Sequence, residues 1–218
     1  MKNAFELVIA TRNKGKTAEI RRLLTNFPVT IRNLDDFGPI PSVEEDATTF
    51  DENAYKKASF TARVLGLPAL ADDSGLVVEA LNGAPGVLSA RYAGPEASDE
   101  ERCRKLLREM EGIENRAAAF ECVISIAVPA GPALTYEGRC EGIIAKHAKG
   151  ANGFGYDPIF FYPPLGKTFA ELTGEEKNLV SHRGKALKEI KDEFDKVIQW
   201  IDMQLCPHEK ILERNNRP

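Results

Sequence analysis

Two patterns of apolar residues alternate along this chain: short, nearly continuous runs, and longer stretches stepped by three and four. The first run, Phe5-Glu6-Leu7-Val8-Ile9-Ala10, is the pattern of a strand buried on both faces. Ile20, Leu23, Leu24 and Phe27 follow at helical spacing, with Asn13 as the candidate N-cap. Thr49-Phe50-Asp51-Glu52 has the form of a capping box and predicts a second helix running to Leu65, stopped by Gly66 and Pro68. Ala69-Leu70-Ala71 and Leu76-Val77-Val78 read as short strands on either side of a polar insert, and Glu101 to Met110 as a polar helix. Phe120 to Val128 and Leu134 to Ala145 pair as antiparallel strands across a Pro/Gly turn, and Ile159-Phe160-Phe161 adds another strand. Leu187, Ile190, Phe194, Val197 and Ile201 predict one long amphipathic helix. Helices interleaved with mixed strands make an α/β fold, a mixed sheet covered by helices.

Composition adds limits. At 218 residues, 43% of them hydrophobic, the chain can bury a core without disulfides or a structural metal. It carries no internal repeat or linker-like tract, so residues 1–205 read as a single domain. The polar tail 206–218, apolar only at Ile211-Leu212, is expected to be disordered. Twenty-nine basic against 33 acidic residues leave a net charge of −4, which argues against binding a nucleic-acid polymer through a bulk positive field. The longest apolar stretch, Cys122 to Leu134, is interrupted by Pro129 and Pro132 and is too short to span a bilayer. Lys2 and Glu6 do not suit a secretory leader. Cys103, Cys122, Cys140 and Cys206 are scattered, with no C-x-x-C pair, as expected of reduced thiols in a cytoplasmic protein.

Four segments carry candidate chemistry. Thr11-Arg12-Asn13-Lys14-Gly15-Lys16 joins the first strand to the first helix, where free amides, the helix dipole and two lysines suit phosphate. It is not a P-loop, because Ala10 stands where G-x-x-x-x-G-K-[ST] requires glycine. Asp72-Asp73-Ser74-Gly75 follows a buried run. In extended chain its two carboxylates point to opposite faces, and one of them suits a metal or a water; as a bare sequence it reads first as a turn. Gly153-Phe154-Gly155-Tyr156-Asp157-Pro158 lacks the third glycine of a dinucleotide loop and suits a base-stacking platform, or simply core aromatics. Thr173 and Glu176 form another capping-box pattern. This puts Lys177 in a first helical turn, where the dipole disfavours a cation unless an anion faces it; His182 and Arg183 follow as directional donors.

Taken together, these blocks resemble the inosine-triphosphate pyrophosphatase family, which hydrolyses non-standard purine nucleoside triphosphates. The matching residues are Thr11-x-Asn13-x-x-Lys16-x-x-Glu19, Thr49-Phe50-x-Glu52-Asn53-Ala54-x-x-Lys57-Ala58 and Ala71-Asp72-Asp73-Ser74-Gly75-Leu76. Further matches are Gly83-x-Pro85-Gly86, Ser89-Ala90-Arg91-Tyr92, Gly153 through Phe160, Glu176-Lys177-Asn178 and Ser181-His182-Arg183. The resemblance spans Leu7 to about Leu205.

The resemblance implies an elongated, two-lobed α/β fold with a long central mixed sheet, a nucleotide cleft between the lobes, a homodimer, and Mg²⁺-dependent release of a monophosphate and pyrophosphate from ITP, dITP or XTP. By the same resemblance, Asp73 is the general base and a metal ligand, Glu45 a second metal ligand, and Lys57 their neutralising partner. Thr11, Arg12, Asn13, Lys14, Gly15 and Lys16, with Ser74 and Lys177, would contact substrate, chiefly its phosphates. Phe154 would stack on the base beside Gly155, Tyr156 and Asp157, while His182 and Arg183 would donate to a 6-keto oxygen that adenine lacks. The alternatives are a Maf-like pyrophosphatase acting on modified pyrimidine nucleotides, against which the Ser181-His182-Arg183 block speaks, and a nucleotide sensor without turnover.

Overall fold

The computed structural model describes residues 5–25 and 27–205. Lys2, Cys206, the tail from Pro207 and the side chain of Leu23 lie outside the described set. Seven strands form one open mixed sheet in the order β2-β1-β3-β4-β5-β6-β7. They are β1 (Phe5–Ile9), β2 (Val29–Asn33), β3 (Ala69–Val78), β4 (Ala117–Ala127), β5 (Ala133–Ile144), β6 (Phe160–Tyr162) and β7 (Lys167–Thr168). β1 runs parallel to β2 and β3, and the remaining pairings are antiparallel. Among the described residues six α-helices accompany them, besides short 3-10 turns: α1 (Lys14–Leu24), α2 (Phe50–Leu65), α3 (Asp99–Glu109), α4 (Gly174–Val180), α5 (His182–Asp192) and α6 (Phe194–Leu205).

The long strands β4 and β5 carry two apolar cores, one at each end. Ile124, Ile126 and Tyr136 pack with Ile20 and Leu24 of α1, Leu187 and Ile190 of α5, and Phe194, Val197 and Ile201 of α6. Towards the other end, Phe120, Cys140 and Ile144 pack with Leu106 of α3, Phe160 and Phe169. Helix α2 covers the opposite face through Ala58 and Ala62 against Ala69 and Ala71 of β3. The strand period of two separates the faces: Leu70 joins the α1–α5–α6 core while its neighbours Ala69 and Ala71 face α2. Among the described residues no helix is long and apolar enough to cross a membrane.

Two expectations change. Asp72 to Gly75 is neither a turn nor an insert: β3 is one continuous strand, paired with β4 from Ala69↔Ala127 to Val78↔Ala118. The carboxylates stay in the ladder because cations meet them on both faces of the sheet. The single C-terminal helix is two, broken at Glu193. Both halves feed the same core, so the apolar period continues across the break. β2, whose residues are only partly buried at an edge of the sheet, carried no clear periodic signal.

Candidate active site

The strand ends and helix starts converge on one cleft of about 610 Å³, lined by every residue singled out above for substrate, base or metal contact. That volume suits a ligand of nucleotide size.

One end is built by the N-terminus of α1. Asn13 caps it, its Oδ1 accepting from the Lys16 amide at 3.1 Å, while Thr11 Oγ1 accepts from the Asn13 amide at 3.2 Å. The first-turn amides therefore face the cleft in a preset arrangement, the condition for anion binding. Gly15 is required by close approach, because a Cβ there would lie 2.8 Å from the Phe154 ring. Arg12 donates to the Ile40 carbonyl at 3.1 Å, tying this end to the 38–48 loop.

The second part is an acidic centre on the α2 face of β3. Lys57 Nζ donates to Asp73 Oδ1 at 2.9 Å and to Glu45 Oε2 at 3.1 Å. Asn53 Nδ2 donates to the other Asp73 oxygen at 3.3 Å. Lys57 and Asn53 lie on one face of α2, whose start is fixed by Thr49 Oγ1 accepting from the Glu52 amide and whose end is fixed by Gly66 in the left-handed conformation. Burial raises the Asp73 carboxyl, against the pull of Lys57 and Lys16 and with the help of Glu45. Burial alone would lower the Lys57 ammonium, but Asp73, Asp72 and Glu45 outweigh it and raise it. Two carboxylates sharing one cation are a donor set that fits Mg²⁺, which takes one or two carboxylates and completes its shell with water and phosphate oxygens. Among the described residues no group of three or more His, Cys, Asp or Glu side chains is placed to hold a metal, so substrate would have to supply the rest.

The third part is an aromatic platform with a charged floor. Asp157 Oδ2 accepts from the Phe154 amide at 2.9 Å and fixes the loop. The half-buried Phe154 ring lies 4.7 Å below Lys177 Nζ. Lys177 itself sits 2.5 Å from Asp157 and 3.5 Å from Glu19. Its ammonium thus faces an anion, a protein carboxylate beside the Phe154 ring. Tyr156 is buried and its hydroxyl donates to the Ser89 carbonyl at 2.9 Å. His182 stacks on Phe120 at 4.7 Å and 13°. Burial, with Arg183 and Lys177 nearby, holds its imidazole well below the ordinary value, so the ring is neutral at pH 7. Its Nδ1 is buried without a hydrogen-bond partner in the protein. Arg183 donates through Nε and Nη2 to Asp72 Oδ2 at 3.2 and 3.1 Å, through Nη2 to Ser74 Oγ at 2.8 Å, and through Nη1 to Glu19.

Some lining residues were not assigned from sequence. Arg91 donates to the Glu45 carbonyl at 2.7 Å, and Asp99 accepts from the Gly155 amide at 2.6 Å. Arg91 stood inside a quoted block without a role. Asp99 lies in the first turn of a polar helix, where an acidic residue is ordinary, so only tertiary structure reveals its use.

Fold and site together define an α/β protein with a charge-lined cleft where strand ends and helix starts meet. Comparison with known proteins narrows this class. A family model described as the Ham1 family matches residues 7–193, and the chain belongs to that family. A relative from Syntrophobacter fumaroxidans, named dITP/XTP pyrophosphatase, is 65% identical over 97% of this chain and 88% of its own length. One of the same name from Desulfotalea psychrophila is 59% identical over 91% and 89%. The solved structure of a HAM1 protein from Coxiella burnetii superposes with a TM-score of 0.83 at 44% identity, covering 88% of this chain and 99% of that one.

Proposed function

We propose that this Ham1-family protein is a Mg²⁺-dependent pyrophosphatase that hydrolyses non-standard purine nucleoside triphosphates (XTP, dITP and ITP) to the monophosphate and pyrophosphate. The observation that carries the reading is the convergence of three surfaces on one cleft: the capped α1 N-terminus with Lys16, the Glu45–Lys57–Asp73 centre, and the Phe154 platform with Arg183 and His182. A triphosphate on the first, its α-phosphorus by the second and its base on the third would use all three. The names of the relatives supply the substrate class.

Asp73 is the base of this scheme. Lys57 and Asn53 orient its carboxylate, and it would act on a water in the shell of a bound metal. It removes a proton from a water whose oxygen forms the new bond to the α-phosphorus. The bond from that phosphorus to the α,β-bridging oxygen breaks, and pyrophosphate leaves with the electron pair. Mg²⁺ bound by Glu45 and Asp73 would neutralise charge on the phosphates and leaving group. Lys16 and the α1 amides hold the phosphate oxygens.

Selectivity rests on counting donors. Arg183 has five N–H groups, and the four bonds to Asp72, Ser74 and Glu19 leave one, on Nη1. That N–H and the neutral His182 ring meet a 6-keto oxygen. Adenine, with a 6-amino donor, leaves them unpaired at a cost of about 1–3 kcal/mol each. Buried free thiols at Cys103, Cys122 and Cys140 support a cytoplasmic setting, and the family resemblance supports a homodimer.

The test is pyrophosphate release from XTP, dITP, ITP, GTP, ATP and dUTP, with and without Mg²⁺. Turnover of the inosine and xanthine nucleotides well above ATP, lost in chelator, is expected. Preference for dUTP would favour the Maf-like reading, and release of orthophosphate would move the cleaved bond.

A further inference from the structure

Asp72 has no role in the chemistry above, yet it is fully buried behind the cleft wall, next to Asp73 and close to Lys16 and Arg183, which line it. All of its bonded partners meet one oxygen. Lys16 Nζ lies 3.0 Å from Oδ2, Arg183 Nη2 and Nε at 3.1 and 3.2 Å, and Ser74 Oγ at 3.1 Å, whereas Oδ1 has no partner in the protein. Lys16 belongs to the phosphate end and Arg183 to the base end. Each therefore draws on the same lone pairs, and neither can change its engagement without altering the other's.

We propose that Asp72 is a positioning residue that couples recognition of the triphosphate to recognition of the base. When phosphate oxygens draw Lys16 off Asp72, the carboxylate is left to Arg183 and to Ser74, which Arg183 itself holds. The carboxylate's grip on the guanidinium fork tightens and the free Nη1 N–H becomes fixed towards the base. A 6-keto purine gains from that fixing; adenine, which offers no acceptor there, does not. The lever is differential, as any coupling between sites must be. It rests on the reading of this cleft as a purine triphosphate site.

The experiment splits the substrate in two. Inosine and adenosine are titrated, by calorimetry or NMR, into the full-length protein in metal-free buffer with and without saturating inorganic tripolyphosphate. In the wild type, tripolyphosphate is expected to strengthen inosine binding about fivefold or more and to leave adenosine within about twofold. In Asp72→Asn the inosine effect disappears while tripolyphosphate still binds. Lys16→Met, altering a partly exposed side chain, guards against a misfolded Asp72 variant. It is expected to bind inosine alone as tightly as the wild type does with tripolyphosphate, and to show no further gain. A purely structural Asp72 cannot produce that gain. Wild-type binding of both components without coupling, or unchanged coupling in either variant, overturns the role of Asp72 and leaves the purine triphosphate reading standing. Failure of the wild type to bind inosine or tripolyphosphate at all overturns both.

Discussion

Asp72 and Asp73 are neighbours on one strand, and their surroundings push them in opposite directions. Asp72 faces α1 and α5. Burial alone would raise its carboxyl, but Lys16 and Arg183, helped by Lys57, hold it well below the ordinary value. Asp73 faces α2 and has Lys57 as its nearest cation, shared with Glu45; there burial prevails and the carboxyl rises. The strand alternation that separates core from surface elsewhere here separates a permanent anion from a proton acceptor. Two identical side chains, one residue apart, thus sit in opposite electrostatic surroundings.

The largest expected effect tests the acceptor side. Asp73→Asn keeps the shape and removes the base, so kcat is expected to fall by ~10³-fold or more while triphosphate binding stays within about tenfold. Rapid-quench turnover and equilibrium binding of a triphosphate measure the two quantities. If Asp73→Asn turns over normally, the contrast between the two carboxylates fails and the base is elsewhere.

Next in size is the base end. Arg183→Ala is expected to cost ITP about 30- to 150-fold more in kcat/KM than ATP, the equivalent of about 2–3 kcal/mol for a shielded, charge-assisted bond. Lys16→Ala acts on phosphates, which carry no base identity, and is expected to lower kcat/KM of ITP and ATP by similar factors. Equal losses on both nucleotides in Arg183→Ala would move Arg183 to the phosphates. The coupling proposed for Asp72 is read in binding of the separated parts, so these kinetic outcomes do not prejudge it.

Much of this site was legible in the sequence because its elements announce themselves locally. Asn13, Thr49 and Thr173 precede helices as caps, and each does accept from an amide three residues on. Gly66 ends α2 in the conformation only glycine adopts cheaply. The opposite facing of Asp72 and Asp73 followed from strand geometry. What local pattern cannot carry is charge supplied from elsewhere. Asp, Asp, Ser and Gly in a row spell a turn until Lys16, Lys57 and Arg183, from three different helices, neutralise the pair and allow β3 to run through. The break at Glu193 was hidden because a helix pair feeding one core keeps the same apolar period as a single helix. Lys177, whose default reading is an exposed lysine, is buried against Asp157 and Glu19, carboxylates that only the fold brings to it.

A smaller effect sharpens the link between the phosphate end and the platform. In Gly15→Ala the new Cβ would meet Phe154 Cδ1 and Cε1 at 2.8 and 2.9 Å, so the ring must tilt. KM is expected to rise about two- to tenfold for every purine triphosphate, the scale of a lost 0.5–1.5 kcal/mol ring contact, even though alanine favours the helix. Steady-state kinetics with ITP and ATP measure it. An effect confined to one base would mean that the ring reads base identity instead of stacking on any purine.

The smallest effect is on stability and isolates His182. Its folded imidazole is held well below 6.5 by burial, with Arg183 and Lys177 adding to the effect. Below pH 6.5 the unfolded chain therefore binds a proton at this residue that the folded chain refuses, and folding loses stability as pH falls through that window. The slope from one such group is at most about 1.4 kcal/mol per pH unit. Asp73 works the other way as pH falls, since its raised folded carboxyl takes up a proton before the unfolded one does. That contribution is common to wild type and variant and cancels in their difference. Asp72, held low, titrates only below the window. His182→Gln removes the one contribution, so urea unfolding between pH 4.5 and 7.5 should show a shallower loss of stability towards acid than the wild type. Parallel curves would mean that His182 is protonated in the folded protein. It would then stand as a second cation beside Arg183, and the donor count that separates keto from amino purines would have to be made again.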